Sequence, residues 1–432
     1  MAAVPTGARA GTLDLSGSVR ARYEALDGQS RAGFTRSEDL LSLRTILTGE
    51  YQADGFRIGA ELFDSRVEGI DAGSVTGTGE VNTLELVQAY VAADFANVLG
   101  KGSKASVQLG RMTLNIGSRR LVAADDYRNT TNGYTGVRAD ARLAGGAKVT
   151  AFYTLPQVRL PDDAGSLRSG RVKIDRESTD LQLWGVIAER PRTVGRAMVE
   201  IGYVGLEERD APGRPTRDRS LHTLSARVMA DPAPGRWDVE VEGIYQFGSA
   251  SGSLSSAERR LDVAAHFLHA DIGYSFPGPL KARLSVEYDR ASGDGPGGRI
   301  GRFDTLFGMR RADLAPAGIY AQIGRANIST PGVRLEIAPG KRVDAFMTYR
   351  GMWLANRFDA FSTTGVRDVR GMSGSFAGHQ FDGRVRWWLV PSRLRAEVNA
   401  AWLLKGRFLR NAPNAPRTGD TRYGSVAVTA VF

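Results

Sequence analysis

Apolar and polar positions alternate along most of this chain. In residues 12–25, Leu13, Leu15, Val19, Ala21 and Tyr23 share one side, while Asp14, Ser16, Ser18, Arg20, Arg22 and Glu24 share the other. A period of two marks a β-strand whose two faces meet different surroundings. The same code returns in 40–52, 196–205, 237–247, 280–288 and 394–404. It returns again in the closing stretch 421–432, where Val426, Val428, Ala430 and Phe432 share a face. Full charges of both signs opposite a continuous apolar face suit lipid on one side and a watery lumen on the other.

Connections alternate in length as regularly as residues alternate in polarity. Turns rich in Gly, Pro, Asp or Asn stand at 53–55, 97–103, 144–146, 190–195, 231–235, 276–279, 338–340 and 391–392. Longer polar stretches lie between them, near 26–38, 64–81, 113–131, 156–178, 207–218, 249–258, 290–330, 356–376 and 406–420. This sorting predicts an all-β fold, a transmembrane antiparallel β-barrel of about 18 strands with short periplasmic turns and long extracellular loops. An N-terminal tail of 1–11 is expected to precede a single barrel over 12–432. Residues 318–327 could form a strand, but the count would then be odd. They are therefore assigned to the 290–330 loop, which is expected to fold over or into the pore mouth.

Aromatic residues should form two belts on the apolar face. Tyr23, Tyr203, Tyr245, Phe247, Tyr288, Trp353 and Trp402 fall near the long-loop ends, and Tyr51, Phe56, Tyr90, Trp237, Trp387 and Phe432 near the short-turn ends. Two stretches resist simple phasing. Arg111 falls on the apolar phase beside Val107 and Leu109, which places it at a rim or beside a bulge, and 261–274 changes phase, with His266 and His269 on opposite faces.

Composition narrows the classes further. Of 432 residues, 42% are apolar, with mean hydropathy −0.25, and no run of about 18 apolar residues offers a membrane helix. Cysteine is absent, which excludes disulfides, thiol nucleophiles and thiolate metal sites. The start of the chain lacks a secretory signal, and Met1 is read as a start residue joined to a mature sequence. His222, His266, His269 and His379 are scattered, with no nucleophile motif or metal-ligand spacing, so neither enzyme chemistry nor a cofactor is expected. Asp125-Asp126 and Gly293-Asp294-Gly295 are read as solvated loop acids, with loop calcium the alternative. A net charge of +10 permits an anionic partner, but basic residues are not clustered among aromatics as nucleic-acid binding would require.

The inward phase carries the candidate chemistry. Arg20, Arg22, Arg44, Arg138, Arg142, Arg196, Arg283, Arg350, Arg384 and Arg386 fall there, interleaved with acids such as Glu50 and Asp344. Arg or Lys rings select anions in pores, and the guanidinium fork matches a carboxylate. These charges either attract anions into the lumen or pair across neighbouring strands and merely solvate it.

Residues 110–138 read GRMTLNIGSRRLVAADDYRNTTNGYTGVR. Through Gly110, Arg111, Gly117, Arg120, Leu121, Asn129, Tyr134, Gly136 and Arg138 this stretch resembles the alginate-export family of outer-membrane porins. A second stretch, 288–308 (YDRASGDGPGGRIGRFDTLFG), resembles the family's Ala-Ser-Gly-Asp loop followed by Phe-Asp-x-Leu-Phe. Met112 stands where Gln is usual, and Thr135 where an acid often precedes the Gly. The resemblance implies a barrel of about 18 strands with a positively charged constriction, and places Arg111 and Arg138 in the lumen near the pore mouth. It implies a passive, anion-selective channel in the bacterial outer membrane, exporting an acidic exopolysaccharide. Uptake of small anionic nutrients and a closed adhesive barrel are the alternatives. The expected partners are the acidic polymer or anionic solute, outer-membrane lipid and a periplasmic export partner, with the barrel acting as a monomer.

Overall fold

The computed structural model describes residues 11–432 apart from 126, 256, 257, 310–313, 315 and 317. Residues 1–10 of the expected tail, and part of the 290–330 loop, thus lie outside the described residues.

Among the described residues nineteen strands form one sheet that closes on itself, antiparallel at every pairing except that of one short strand. In chain order they are β1 (Thr12–Asp27), β2 (Glu38–Ala53), β3 (Phe56–Glu68), β4 (Asn82–Ala96), β5 (Lys104–Met112), β6 (Tyr134–Arg142), β7 (Lys148–Pro156), β8 (Leu181–Val194), β9 (Ala197–Glu208) and β10 (Ser220–Ala230). There follow β11 (Arg236–Ser251), β12 (Arg260–Ser275), β13 (Arg283–Ala291), β14 (Arg299–Ile300), β15 (Ile328–Ile337), β16 (Val343–Trp353), β17 (Phe376–Val390), β18 (Leu394–Lys405) and β19 (Thr421–Val431). β14 is a two-residue piece of a loop lying parallel to β12, so the wall proper has 18 strands. Residues 318–327 stay within that loop, and the even count brings β1 and β19 together antiparallel, from Ser18 beside Val431 to Asp27 beside Arg422.

Turn chemistry fixes the short ends. Asp54 and Gly55 both adopt left-handed φ, 47° and 82°, the geometry that joins twisted strands through two residues. All eight short turns stand at one end of the barrel and all nine long loops at the other.

The outward face is a band of exposed apolar side chains, among them Leu13, Ile58, Ile201, Val286 and Val428. A patch on this scale is unfavourable in water and is what a bilayer would cover. Aromatic clusters edge it: Tyr203, His222 and Phe247 stack at the long-loop end, as do Tyr349 and His379. Trp237, Tyr274 and Phe276 cluster at the short-turn end.

Two local expectations change. Tyr90 faces the lumen, not lipid, because the β3–β4 register slips between Glu61 and Leu62. This bulge inverts the alternation, and the Tyr90 hydroxyl donates to the Glu50 carboxylate. β12 keeps one phase throughout its pairing with β11. Its apparent change of phase arises because Val263, Ala265 and Phe267 point inward and are buried, with Phe267 stacked 5.6 Å from Phe303 of the loop above.

Candidate functional site

The lumen divides into an extracellular half filled by loops and a periplasmic half lined by ion pairs. Segment 113–133, between β5 and β6, forms much of the filling. Arg20 donates to the carbonyls of Tyr127 (3.4 Å) and Arg128 (3.0 Å) and to Asn129 Oδ1 (3.1 Å). Arg22 donates to Tyr127 O (2.8 Å) and pairs with Glu24 (2.9 Å), and Arg44 donates to Arg128 O (3.0 Å). Asn129 in turn donates to the carbonyls of Leu43, Arg66 and Glu80. These three arginines therefore hold the loop by its backbone.

The same segment is fastened on the far wall. Arg120 pairs with Glu240 (2.6 Å) and Glu242 (2.5 Å), and Ser118 donates to Glu242 (2.9 Å). In a ring of 18, β2 and β11 lie half a circumference apart, so segment 113–133 spans the barrel from wall to wall. Residues 307–309 of the β13–β15 connection run beside it: Phe307 N–H donates to Leu121 O (2.9 Å), Ala123 N–H to Phe307 O (3.1 Å) and Met309 N–H to Arg119 O (2.9 Å). Tyr320 seals the other side, donating to Gln380 (2.7 Å) with its ring 5.4 Å from Tyr423. Met112, Leu114, Val122, Ile319 and Phe361 belong to the apolar core of this filling.

Below the loops, charges face the lumen in pairs and triplets. Arg57 bridges Glu50 (3.5 Å) and Asp94 (2.9 Å), and Arg138 pairs with Asp140 (2.7 Å). Arg384 and Arg386 share Asp344, at 3.2 and 2.9 Å. Arg283 joins Asp238, Asp271 and Glu336. Phe346 lies under two guanidinium groups, those of Arg334 (3.9 Å) and Arg384 (5.1 Å). A cavity of about 230 Å³ opens among Arg120, Glu240, His269, Arg283, Glu287 and Arg334.

The remaining candidates stand apart. Arg142 is exposed at the periplasmic end of β6. Arg196 lies in the β8–β9 turn and donates to the backbone of Asp231 (3.1 Å) and Trp237. Arg350 is buried against Glu287 (3.2 Å). Arg111 sits at the extracellular end of β5 on the phase of Val107 and Leu109, clamped by Glu85 and Glu177, each at 2.6 Å. Asp126 lies outside the described residues, while Asp125 pairs with Arg128 (2.9 Å) and Asp294 accepts from the backbone of Gly301 and Arg302. No cluster of three metal-ligating side chains occurs among the described residues.

Sequence reasoning missed Arg120, Asn129, Tyr320 and Gln380 as lumen residues. Asn129 and Arg120 sit in a stretch without period-two alternation, and their only sequence signal is the motif 110–138 itself.

A closed barrel with a charged inner wall and inward loops defines a porin-type channel. The alginate export family model matches residues 12–423, and the chain belongs to that family. No curated protein sequence matches it. Among solved structures it is similar to the outer membrane protein OpdK of Pseudomonas aeruginosa, with TM-score 0.59 and 13% identity over 97% of this chain and 99% of that one. It is similar also to OpdK with vanillate (TM-score 0.60, 13% identity, 97% and 98%) and to OccK2 (OpdF) of the same organism in complex with glucuronate (0.57, 12%, 97% and 96%). At these identities the likeness shows the fold. Family and fold are those of an outer-membrane channel, which is not an enzyme class, and they point to the bacterial outer membrane.

Proposed function

We propose that this channel is passive and anion-selective, and that it exports an acidic exopolysaccharide of the alginate type or its oligomers. The observation that carries the reading is the periplasmic half of the lumen, where Arg57, Arg138, Arg384 and Arg386 are each held by a carboxylate while remaining partly exposed. A guanidinium has five N–H donors, so a bidentate partner leaves donors for a passing uronate carboxylate. The fixed acids keep each contact weak, which conduction along a chain of sites requires. Family membership over 12–423 supports the polymer as cargo.

Uptake of small anionic nutrients is the second reading. It is favoured by the two loops that fill the extracellular half and by likeness to a channel solved with glucuronate. Single-channel recording in planar bilayers tests both. Export predicts block by alginate oligomers at concentrations where glucuronate has no effect. Equal block by glucuronate favours uptake, and an absence of conductance removes both.

A further inference from the structure

We infer that the extracellular edge of β12–β14 binds the phosphorylated headgroup of an outer-leaflet lipid. Three arginines face outward there. Arg290 on β13 stands between Leu268 of β12 and Ser329 of β15. Arg299 on β14 stands beside Asp262, and Arg260 begins β12, its guanidinium on Ser249 Oγ at 2.8 Å. His266, exposed on the same phase of β12, stands opposite Tyr245.

The surroundings set the height and the charge. Leu268 and Tyr245 are exposed on the same face, Tyr288 hydrogen bonds Ser329 (3.0 Å), and Trp353 pairs with Ser329 across the next strand. Arg290 thus lies within the aromatic belt, the level of lipid headgroups. Three other cations near this rim carry their own counter-charges: Arg66 pairs with Asp64 (3.0 Å), Arg36 with Asp27 (3.5 Å) and Arg209 with Glu207 (3.6 Å). Arg260, Arg290 and Arg299 form no ion pair among the described residues, and Asp262 is the one carboxylate within the group's strands on this face. An uncompensated guanidinium at the edge of hydrocarbon is costly, and a lipid phosphate supplies both charge and acceptor oxygens.

The test uses the full chain, purified and delipidated in detergent, and native mass spectrometry of bound lipid. Diphosphoryl lipid A is the probe, with dephosphorylated lipid A and inorganic phosphate as comparison arms. Tight retention of the diphosphoryl form alone is expected. The triple variant R260Q/R290Q/R299Q should weaken it roughly 10- to 100-fold, whereas Arg66→Gln should not. Retention independent of phosphorylation, displacement by inorganic phosphate, or an unaffected triple variant overturns the inference. Heat-modifiable gel mobility reports whether the variant barrel is folded, and if it is not, the comparison of the two lipid A forms on the unmodified protein decides.

Discussion

Gly17 and Phe432 exchange both backbone hydrogen bonds, at 2.8 and 3.0 Å, below the last side-by-side pair of the β1–β19 seam. The phenyl ring of Phe432 lies over Gly17, where an added Cβ would come within 2.6 Å of the ring and 2.8 Å of Ile46 O. Gly17→Val should therefore force the seam apart at its periplasmic end, costing about 1–3 kcal/mol as overpacking does. Urea unfolding followed by tryptophan fluorescence checks this, and an unchanged midpoint would show that the seam tolerates the branch.

Arg120 fastens the wall-to-wall segment to β11 through Glu240 and Glu242. Arg120→Gln removes the closest cation from Glu242 and leaves Glu240 only its longer pair with Arg227 (3.4 Å), at a cost on the order of 3 kcal/mol for breaking a buried pair. The segment remains held at Arg20, Arg22 and Arg44 on the opposite wall, so the barrel should fold while the loop swings. Higher single-channel conductance and frequent transitions between levels are expected. Identical current traces for variant and parent would mean that the Arg120 anchor does not control the opening.

The wall was legible in the sequence because lipid imposes one rule on every strand. Leu13, Leu15, Val19, Ala21 and Tyr23 on β1 and Val426, Val428 and Ala430 on β19 follow it, and the Gly- and Pro-rich turns mark where each strand reverses. The rule fails where something other than water fills the lumen. Val263 and Phe267 are apolar and inward because the loop residue Phe303 meets them. Tyr90 changes faces through one inserted residue that leaves no compositional trace. The arginines were legible as inward but not their partners, since Arg20, Arg22 and Arg44 spend their donors on carbonyls of a segment far away in sequence.

Asp344 restrains two guanidinium groups at once, Arg384 at 3.2 Å and Arg386 at 2.9 Å. Asp344→Asn removes the fixed negative charge and should raise anion preference, whereas R384Q/R386Q should lower it. Reversal potentials under a salt gradient measure the sign directly, and the shifts should shrink as ionic strength rises. Shifts in the same direction for both variants would contradict a role for these charges in selectivity.

Asp175 ties segment 157–180 to the barrel rim, accepting from Asn82 Nδ2 (2.7 Å) and Leu160 N–H (2.9 Å), while its own N–H donates to Glu85 (2.7 Å). Burial, reinforced by the Glu85 charge, pushes its carboxyl up to about 6, against the opposing pull of the Leu160 and Asn82 hydrogen bonds and Arg159. The ordinary value is about 3.9, so the docked segment holds this proton more tightly than the free one. Its contribution to docking is fully present below about pH 4 and is lost as pH rises through about 6. Amide hydrogen exchange across 157–180, corrected for intrinsic rates, should show protection falling over that window. Asp175→Asn should flatten the dependence, and a slope that persists in the variant would assign it to another group.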